Sequence, residues 1–99
     1  MITGKQRSFL KKIAHNEKPI TQLGKAGITD SFIEQLEPVL EAREIVKISI
    51  LDSSMLSAAE ACRDVAEKTN AEFVQAIGSK FTIYRRAREK DNRKIRLPK

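Results

Sequence analysis

The sequence predicts a small two-layer α/β domain, and three observations support that prediction. The 99 residues are enough to enclose one modest hydrophobic core but not two. Apolar residues recur at helical spacing in three stretches, which predicts three amphipathic helices. Short runs of β-branched and aromatic residues lie between and after these helices and predict four strands. The predicted order is α-β-α-β-α-β-β.

The first predicted helix begins at Thr3-Gly4 and ends near His15, because Pro19 disfavours helical backbone at the residue before it. Ile2, Phe9, Leu10 and Ile13 share its apolar face, and Lys5, Lys11 and Lys12 gather on the opposite face. His15 favours the negative end of the helix dipole, although contact with a nucleic acid stays an alternative for it.

The second predicted helix starts at Thr29, a residue typical of N-caps, and reaches about Arg43. Pro38 lies inside it and predicts a kink or two short pieces, because an interior proline costs ~3 kcal/mol. Its acidic residues predict a solvated face rather than a pair of catalytic carboxylates; they are Glu34, Glu37, Glu41 and Glu44.

The third predicted helix follows a turn and cap at Asp52-Ser53-Ser54 and ends near Thr69, with Asn70 as a left-handed C-cap. The four predicted strands are Ile20–Leu23, Glu44–Leu51, Phe73–Ile77 and Phe81–Arg85. Gly78-Ser79 joins the last two strands and favours a type II′ hairpin.

Charge is segregated along the chain. Residues 1–28 contain six basic residues and one acidic residue, residues 29–84 contain five and ten, and residues 85–99 contain eight and two. The net charges are therefore +5, −5 and +6. Basic ends around an acidic middle favour a surface that faces a polyanion, with a solvated basic tail as the plainer alternative.

Several classes of protein are disfavoured by composition. Apolar runs are too short to cross a bilayer, and no apolar segment at the N-terminus resembles a secretory signal, so we expect a cytoplasmic protein without membrane contact. Cys62 is the single cysteine, which excludes an internal disulfide, and with His15 it cannot make a four-ligand zinc site. We expect no metal and no cofactor.

One short motif carries binding chemistry, the sequence Gly24-Lys25-Ala26-Gly27 between the first strand and the second helix. Glycines allow positive φ and close approach of a ligand to the backbone. Free N–H groups, the N-terminus of a helix and one lysine together favour a phosphate. A plain chain reversal is the alternative. KH domains also use a GXXG loop, but theirs joins two helices.

Five stretches of the chain, in order, resemble the CRM domain (chloroplast RNA splicing and ribosome maturation), most closely its bacterial single-domain, YhbY-type members. They are TGKQRSFLKKIAH, KPITQLGKAGIT, EIVKISIL, AEKTNAEFVQAIG and YRRAREKDNRKIRLPK. The resemblance implies a four-stranded mixed sheet like that of the C-terminal domain of bacterial translation initiation factor three. It also implies an uninterrupted second helix, in contrast to the break expected from Pro38.

By the same resemblance we expect a ribosome assembly factor that binds RNA, specifically precursors of the large ribosomal subunit. Residues 1–85 would form the RNA-binding domain and residues 86–99 a basic tail. The residues expected to contact RNA are Lys5, Lys11, Lys12, Gly24, Lys25, Ala26, Gly27, Thr29 and Arg85. Tyr84 is a further candidate, for stacking on a base. We expect a monomer with no small-molecule substrate.

Two other functions stay open from the sequence. The first is a small enzyme that acts on a phosphoryl group through Lys25 and the amides of the loop, although only Thr21 and Thr29 could serve as nucleophiles and no base is evident. The second is a protein-interaction module whose acidic middle binds a basic partner.

Overall fold

The computed structural model describes residues 2–51 and 57–99, and its centre is a four-stranded sheet with helices on both faces. The helices are α1 (Gly4–His15), α2 (Asp30–Arg43) and α3 (Ala58–Thr69). The strands are β1 (Thr21–Leu23), β2 (Ile45–Ile50), β3 (Glu72–Ile77) and β4 (Lys80–Tyr84). The sheet order is β1-β2-β4-β3, with β1 parallel to β2 and the other pairs antiparallel. The predicted α/β class, element order and mixed sheet are confirmed. The predicted two-layer arrangement is wrong, because α1 packs on the face of the sheet opposite to α2 and α3, which makes three layers.

Local capping explains where several elements begin and end. Thr3 and Gln6 form a reciprocal capping box at the start of α1, and the Thr29 hydroxyl accepts the Phe32 N–H at the start of α2. Asn70 ends α3 in the left-handed conformation, with φ +58°, as predicted. Gly78 has φ +60° in the two-residue β3–β4 hairpin, as a type II′ turn requires.

One of the two alternatives predicted for Pro38 is wrong, and the predicted cap of the third helix falls outside the described residues. Pro38 lies within one helix, α2, rather than between two short pieces. The N-cap of α3 is Ser57, whose hydroxyl accepts the Glu60 N–H at 3.2 Å. The turn and cap predicted at Asp52-Ser53-Ser54 lie outside the described residues.

Each face of the sheet has its own apolar cluster. Helices α2 and α3 cover one face, and the centre of that core is formed by Leu36, Leu40, Ile48, Phe81 and Ile83. Helix α1 crosses the other face near one end of the sheet, where a second cluster contains Leu10, Ala14, Ile45, Val74 and Tyr84. Beyond the end of α1, that face carries a groove lined by His15, Lys47, Thr82 and the β3–β4 hairpin.

Residues 86–99, the C-terminal segment, lie against the domain, and the side chain that holds them most tightly is Glu44. Glu44 is fully buried, and its carboxylate accepts the N–H groups of Ala87, Lys94 and Ile95 at 2.6–2.9 Å. Ile95 and Leu97 pack against the cluster under α1. The acidic run of α2 and its end is thus largely engaged by the chain's own basic end. The prediction of a solvated face is wrong for the buried Glu44, whereas Glu37 and Glu41 are hydrogen-bonded but partly exposed.

The pKa of Glu41 predicts how the attachment of the C-terminal segment depends on pH. Hydrogen bonds from the Asn92 side chain and from the N–H groups of Arg88 and Glu89 lower the pKa of Glu41 from 4.5 to about 2. Because the pKa is lower in the folded state, Glu41 stabilises the protein above about pH 4.5 and that contribution is lost as the pH falls through 2. Urea unfolding between pH 5 and pH 2 should therefore show a shallower loss of stability for Glu41→Gln than for the parent. Parallel curves would contradict this assignment.

Candidate nucleic-acid interface

The GKAG turn, residues 24–27, is a tight turn whose middle is open to solvent. Its closing hydrogen bond runs from the Gly27 N–H to the Gly24 carbonyl oxygen at 3.0 Å, and Gly27 has φ +76°. Lys25 and Ala26 are exposed. Among the described residues, no backbone carbonyl accepts a hydrogen bond from the N–H of Lys25 or Ala26. The turn therefore presents two backbone donors and one mobile cation to an anion.

The start of α2 directly follows the turn. Thr29 is half-buried and its hydroxyl accepts the Phe32 N–H at 3.0 Å, so its observed role is to cap the helix. The partial positive charge of a helix N-terminus adds to that of the turn. Asp30 is exposed in the first turn of α2 and places one negative charge beside it. Binding of an anion at this position therefore depends on the positive charge of Lys25.

Helix α1 contributes a second group of cations. Lys5, Lys11 and Lys12 are all exposed, and Lys5 and Lys12 lie almost directly above one another because seven residues make two turns. Arg7 differs from them, since its Nε donates to the Phe73 carbonyl oxygen at 3.1 Å and covers part of the edge of β3. The three lysines therefore remain available on the surface, while Arg7 fixes α1 to the sheet.

The third cationic group belongs to the C-terminal segment. Six of its basic side chains line an open cavity of about 680 Å³ together with Gln6 and Tyr84. They are Arg86, Lys90, Arg93, Lys94, Arg96 and Lys99. None of the described residues that line this cavity is acidic. Because Glu44 fixes the backbone at Lys94 and Ile95, these charges are gathered by the fold rather than spread along a free tail.

Arg85 is a correction to the predicted site. It is 7% exposed, and its Nη1 donates to the Glu37 carboxylate at 2.7 Å and to the Thr69 carbonyl oxygen at 3.0 Å. This guanidinium joins α2 to the end of α3 and does not face the surface that carries Lys25. From the sequence alone, an arginine after the last strand could form an internal ion pair or contact RNA, and no local signal distinguishes the two roles.

Tyr84 and Cys62 also lie inside the protein. Tyr84 is 4% exposed under α1, which removes it as a stacking platform. Burial, followed by the nearby Glu44 charge, raises the pKa of Tyr84 above its usual 10. Burial likewise raises the pKa of the Cys62 thiol from 9 to about 12, as fits a core residue.

The sheet separates the cationic groups into two ends. The GKAG turn follows Leu23, which pairs with Ile50 at one end of β2. The C-terminal segment follows Tyr84, which pairs with Ile45 at the other end. Five residue steps along β2 make about 17 Å. Helix α1 packs at the Ile45 end of this sheet, against Ile45, Val74 and Tyr84. The GKAG turn and the C-terminal segment therefore do not form one continuous patch around the loop.

Across the part of the chain that the structure describes, no helix is long and apolar enough to span a membrane. Over residues 2–51 and 57–99, no group of three histidine, cysteine or acidic side chains is arranged to hold a metal ion.

Comparisons with known proteins agree with a nucleic-acid interface. The model of the CRS1 / YhbY (CRM) domain family matches residues 2–85. The probable RNA-binding protein YqeI of Bacillus subtilis is 37% identical over 99% of this chain and 100% of its own length. An RNA-binding protein of Haemophilus influenzae is 30% identical over 99% and 96%, respectively. A Staphylococcus aureus protein proposed to bind RNA, solved in solution, superposes with a TM-score of 0.81 at 42% identity, over 99% of this chain and 100% of the other.

Proposed function

Since the chain belongs to the CRS1 / YhbY (CRM) domain family, we propose that it binds structured RNA of the large ribosomal subunit precursor and acts as an assembly factor. Its named relatives in Bacillus subtilis and Haemophilus influenzae are called RNA-binding proteins. We propose that it does so as a cytoplasmic monomer with no catalytic step.

The observation that carries the proposal is the GKAG turn. Its exposed lysine, its positive-φ glycine and its two backbone donors lie at the N-terminus of α2. This arrangement complements a phosphate oxygen and carries no feature that would read a base. Binding that depends on phosphates favours the shape of an RNA over its sequence.

The placement of the three cationic groups supports a folded RNA as partner. A single nucleotide does not span about 17 Å of sheet, whereas the backbone of an RNA helix offers phosphates over that distance. The exposed lysines of α1 add a third group of cations to these two. An RNA that contacts the GKAG turn and the C-terminal segment would therefore extend along the sheet from one end to the other.

The sharpest test of the loop is Lys25→Ala, because it leaves the backbone of the turn intact. Loss of one charge-assisted contact should weaken binding to unrelated structured RNAs by roughly 1–2 kcal/mol. Affinity is measured by fluorescence anisotropy at fixed salt, with unfolding by urea in parallel. Glu34→Ala is the control, since Glu34 is exposed on α2. Equal affinities for Lys25→Ala and the parent would make the turn a plain chain reversal.

The cellular part of the proposal is tested separately. The tagged protein should co-sediment with large-subunit precursors in a gradient of a cell extract, and ribonuclease should release it. Recovery with protein partners after complete digestion of RNA would contradict the assignment to RNA.

The two alternatives from the sequence receive less support. The Thr29 hydroxyl, one of two nucleophile candidates for a phosphoryl enzyme, caps α2. Three of the ten acidic residues that could attract a basic protein are already engaged, since Glu37, Glu41 and Glu44 bind the C-terminal segment or Arg85.

A further inference from the structure

One groove lies beyond the C-terminal end of α1, on the same face of the sheet. It measures about 500 Å³, within the range of roughly 300–1,000 Å³ that small-molecule sites occupy. The β3–β4 hairpin lines one side of it. The lining side chains that could contact a ligand are His15, Lys47, Gln75, Ile77, Lys80 and Thr82. We refer to it as the open-face groove.

Thr82 provides the first observation that this groove is built for a ligand. It is 1% exposed, and its hydroxyl oxygen has no hydrogen-bond partner. A buried hydroxyl without a partner costs free energy that a valine of the same shape would not. Thr82 lies between Lys47 and Gln75 in the strand register, and all three residues line the groove.

The other lining residues define the ligand's chemistry. Ile77 is 67% exposed and offers an apolar contact. Among the described large apolar residues, only Ile77 and Ile20 are exposed, and Ile77 is the more exposed of the two. Lys47 and Lys80 supply positive charge, and none of the described lining residues is acidic. The Lys47 ammonium already donates to the carbonyl oxygens of Ala14 and Glu17, which fixes it at the end of α1. An apolar contact, a hydroxyl, an amide, one fixed cation and one exposed cation together suit a nucleobase with its phosphate.

The position of the groove relates it to the GKAG turn. Lys80 pairs with Ser49 and the Ile50 N–H donates to the Ser79 carbonyl oxygen, so the hairpin lies at the Ile50 end of β2. Leu23, which precedes the turn, pairs with the same Ile50. The groove and the turn are therefore neighbours at one end of the sheet.

We propose that the open-face groove receives one unpaired nucleotide of the bound RNA, with its base against Ile77 and a base edge hydrogen-bonded to Thr82 and Gln75. This inference rests on the proposed RNA-binding function and extends it. The GKAG turn would hold the phosphates of a paired region while the groove selects RNA in which a neighbouring nucleotide is unpaired.

The test compares two RNA hairpins that differ by a single unpaired nucleotide in the stem, each measured by anisotropy with the full chain. The parent should prefer the interrupted hairpin. Thr82→Val should reduce that preference by about three- to tenfold, the worth of one or two hydrogen bonds, and leave the stability unchanged or higher. Ile77→Ser should also reduce it. Ile20→Ser is the matched control, because Ile20 is 38% exposed outside the groove.

The outcomes separate this inference from the proposed function. If the parent binds both hairpins equally, or if Thr82→Val and Ile77→Ser leave its preference intact, the groove is not a nucleotide site. In that case Lys25→Ala still weakens both hairpins when the proposed function is correct. A parent that binds neither hairpin overturns both proposals. A loss of stability in Thr82→Val without a loss of preference would make the hydroxyl structural.

Discussion

Replacing Glu44 by alanine is expected to destabilise the protein by about 3–5 kcal/mol, because each backbone N–H left without its acceptor costs about 1–3 kcal/mol. The carboxylate is fully buried and holds three backbone N–H groups of the C-terminal segment. Without it the buried N–H of Ala87 and the part-buried N–H groups of Lys94 and Ile95 lose their acceptor. Domains of this size have about 5–15 kcal/mol of stability in total, so the loss should be evident as a large fall in the urea midpoint.

Two further variants make the Glu44 prediction specific. Glu44 has φ +64°, a conformation that strains any side chain. Glu44→Gly should therefore be less destabilised than Glu44→Ala by about 1 kcal/mol. Glu34→Ala, at an exposed position of α2, should change the stability of the protein little. A loss below about 1 kcal/mol for Glu44→Ala would mean that the C-terminal segment is held by its apolar contacts instead.

Neutralising three cations of the C-terminal segment is expected to have the largest effect on RNA affinity. In Arg86→Gln/Lys90→Gln/Lys94→Gln, the slope of log K against log salt should fall by about 2–3, and affinity at 0.1 M salt by about a hundredfold, if each residue neutralises one phosphate. The three side chains are exposed, and the Lys94 N–H that binds Glu44 is kept. Removing residues 86–99 altogether would confound the result by exposing Glu44.

The matched control changes the net charge by the same amount elsewhere. Arg43→Gln/Arg63→Gln/Lys68→Gln removes three exposed cations from the ends and surfaces of α2 and α3. Its salt slope should stay close to that of the parent. Equal slopes for the two triple variants would show that only the overall charge matters and that the C-terminal segment is not a contact surface.

The sequence by itself determined the elements of the fold, because the signals for them are local. Thr29 and Asn70 mark helix ends through hydrogen bonds and backbone preferences of a few neighbouring residues. Alternating β-branched residues marked β2 in the same way. The two glycines of residues 24–27 also determined a turn before a helix, and Lys25 is exposed there.

The tertiary structure decided what the charged residues do. Glu44 and Arg85 look like surface residues in the sequence, but each is buried against a partner more than 40 positions away in the chain. Such pairing depends on which elements the fold brings together, and charge counts contain no information about that. The open-face groove has the same origin. The exposed Ile77 and the buried Thr82 line one groove only because the fold brings the end of α1 and the β3–β4 hairpin together.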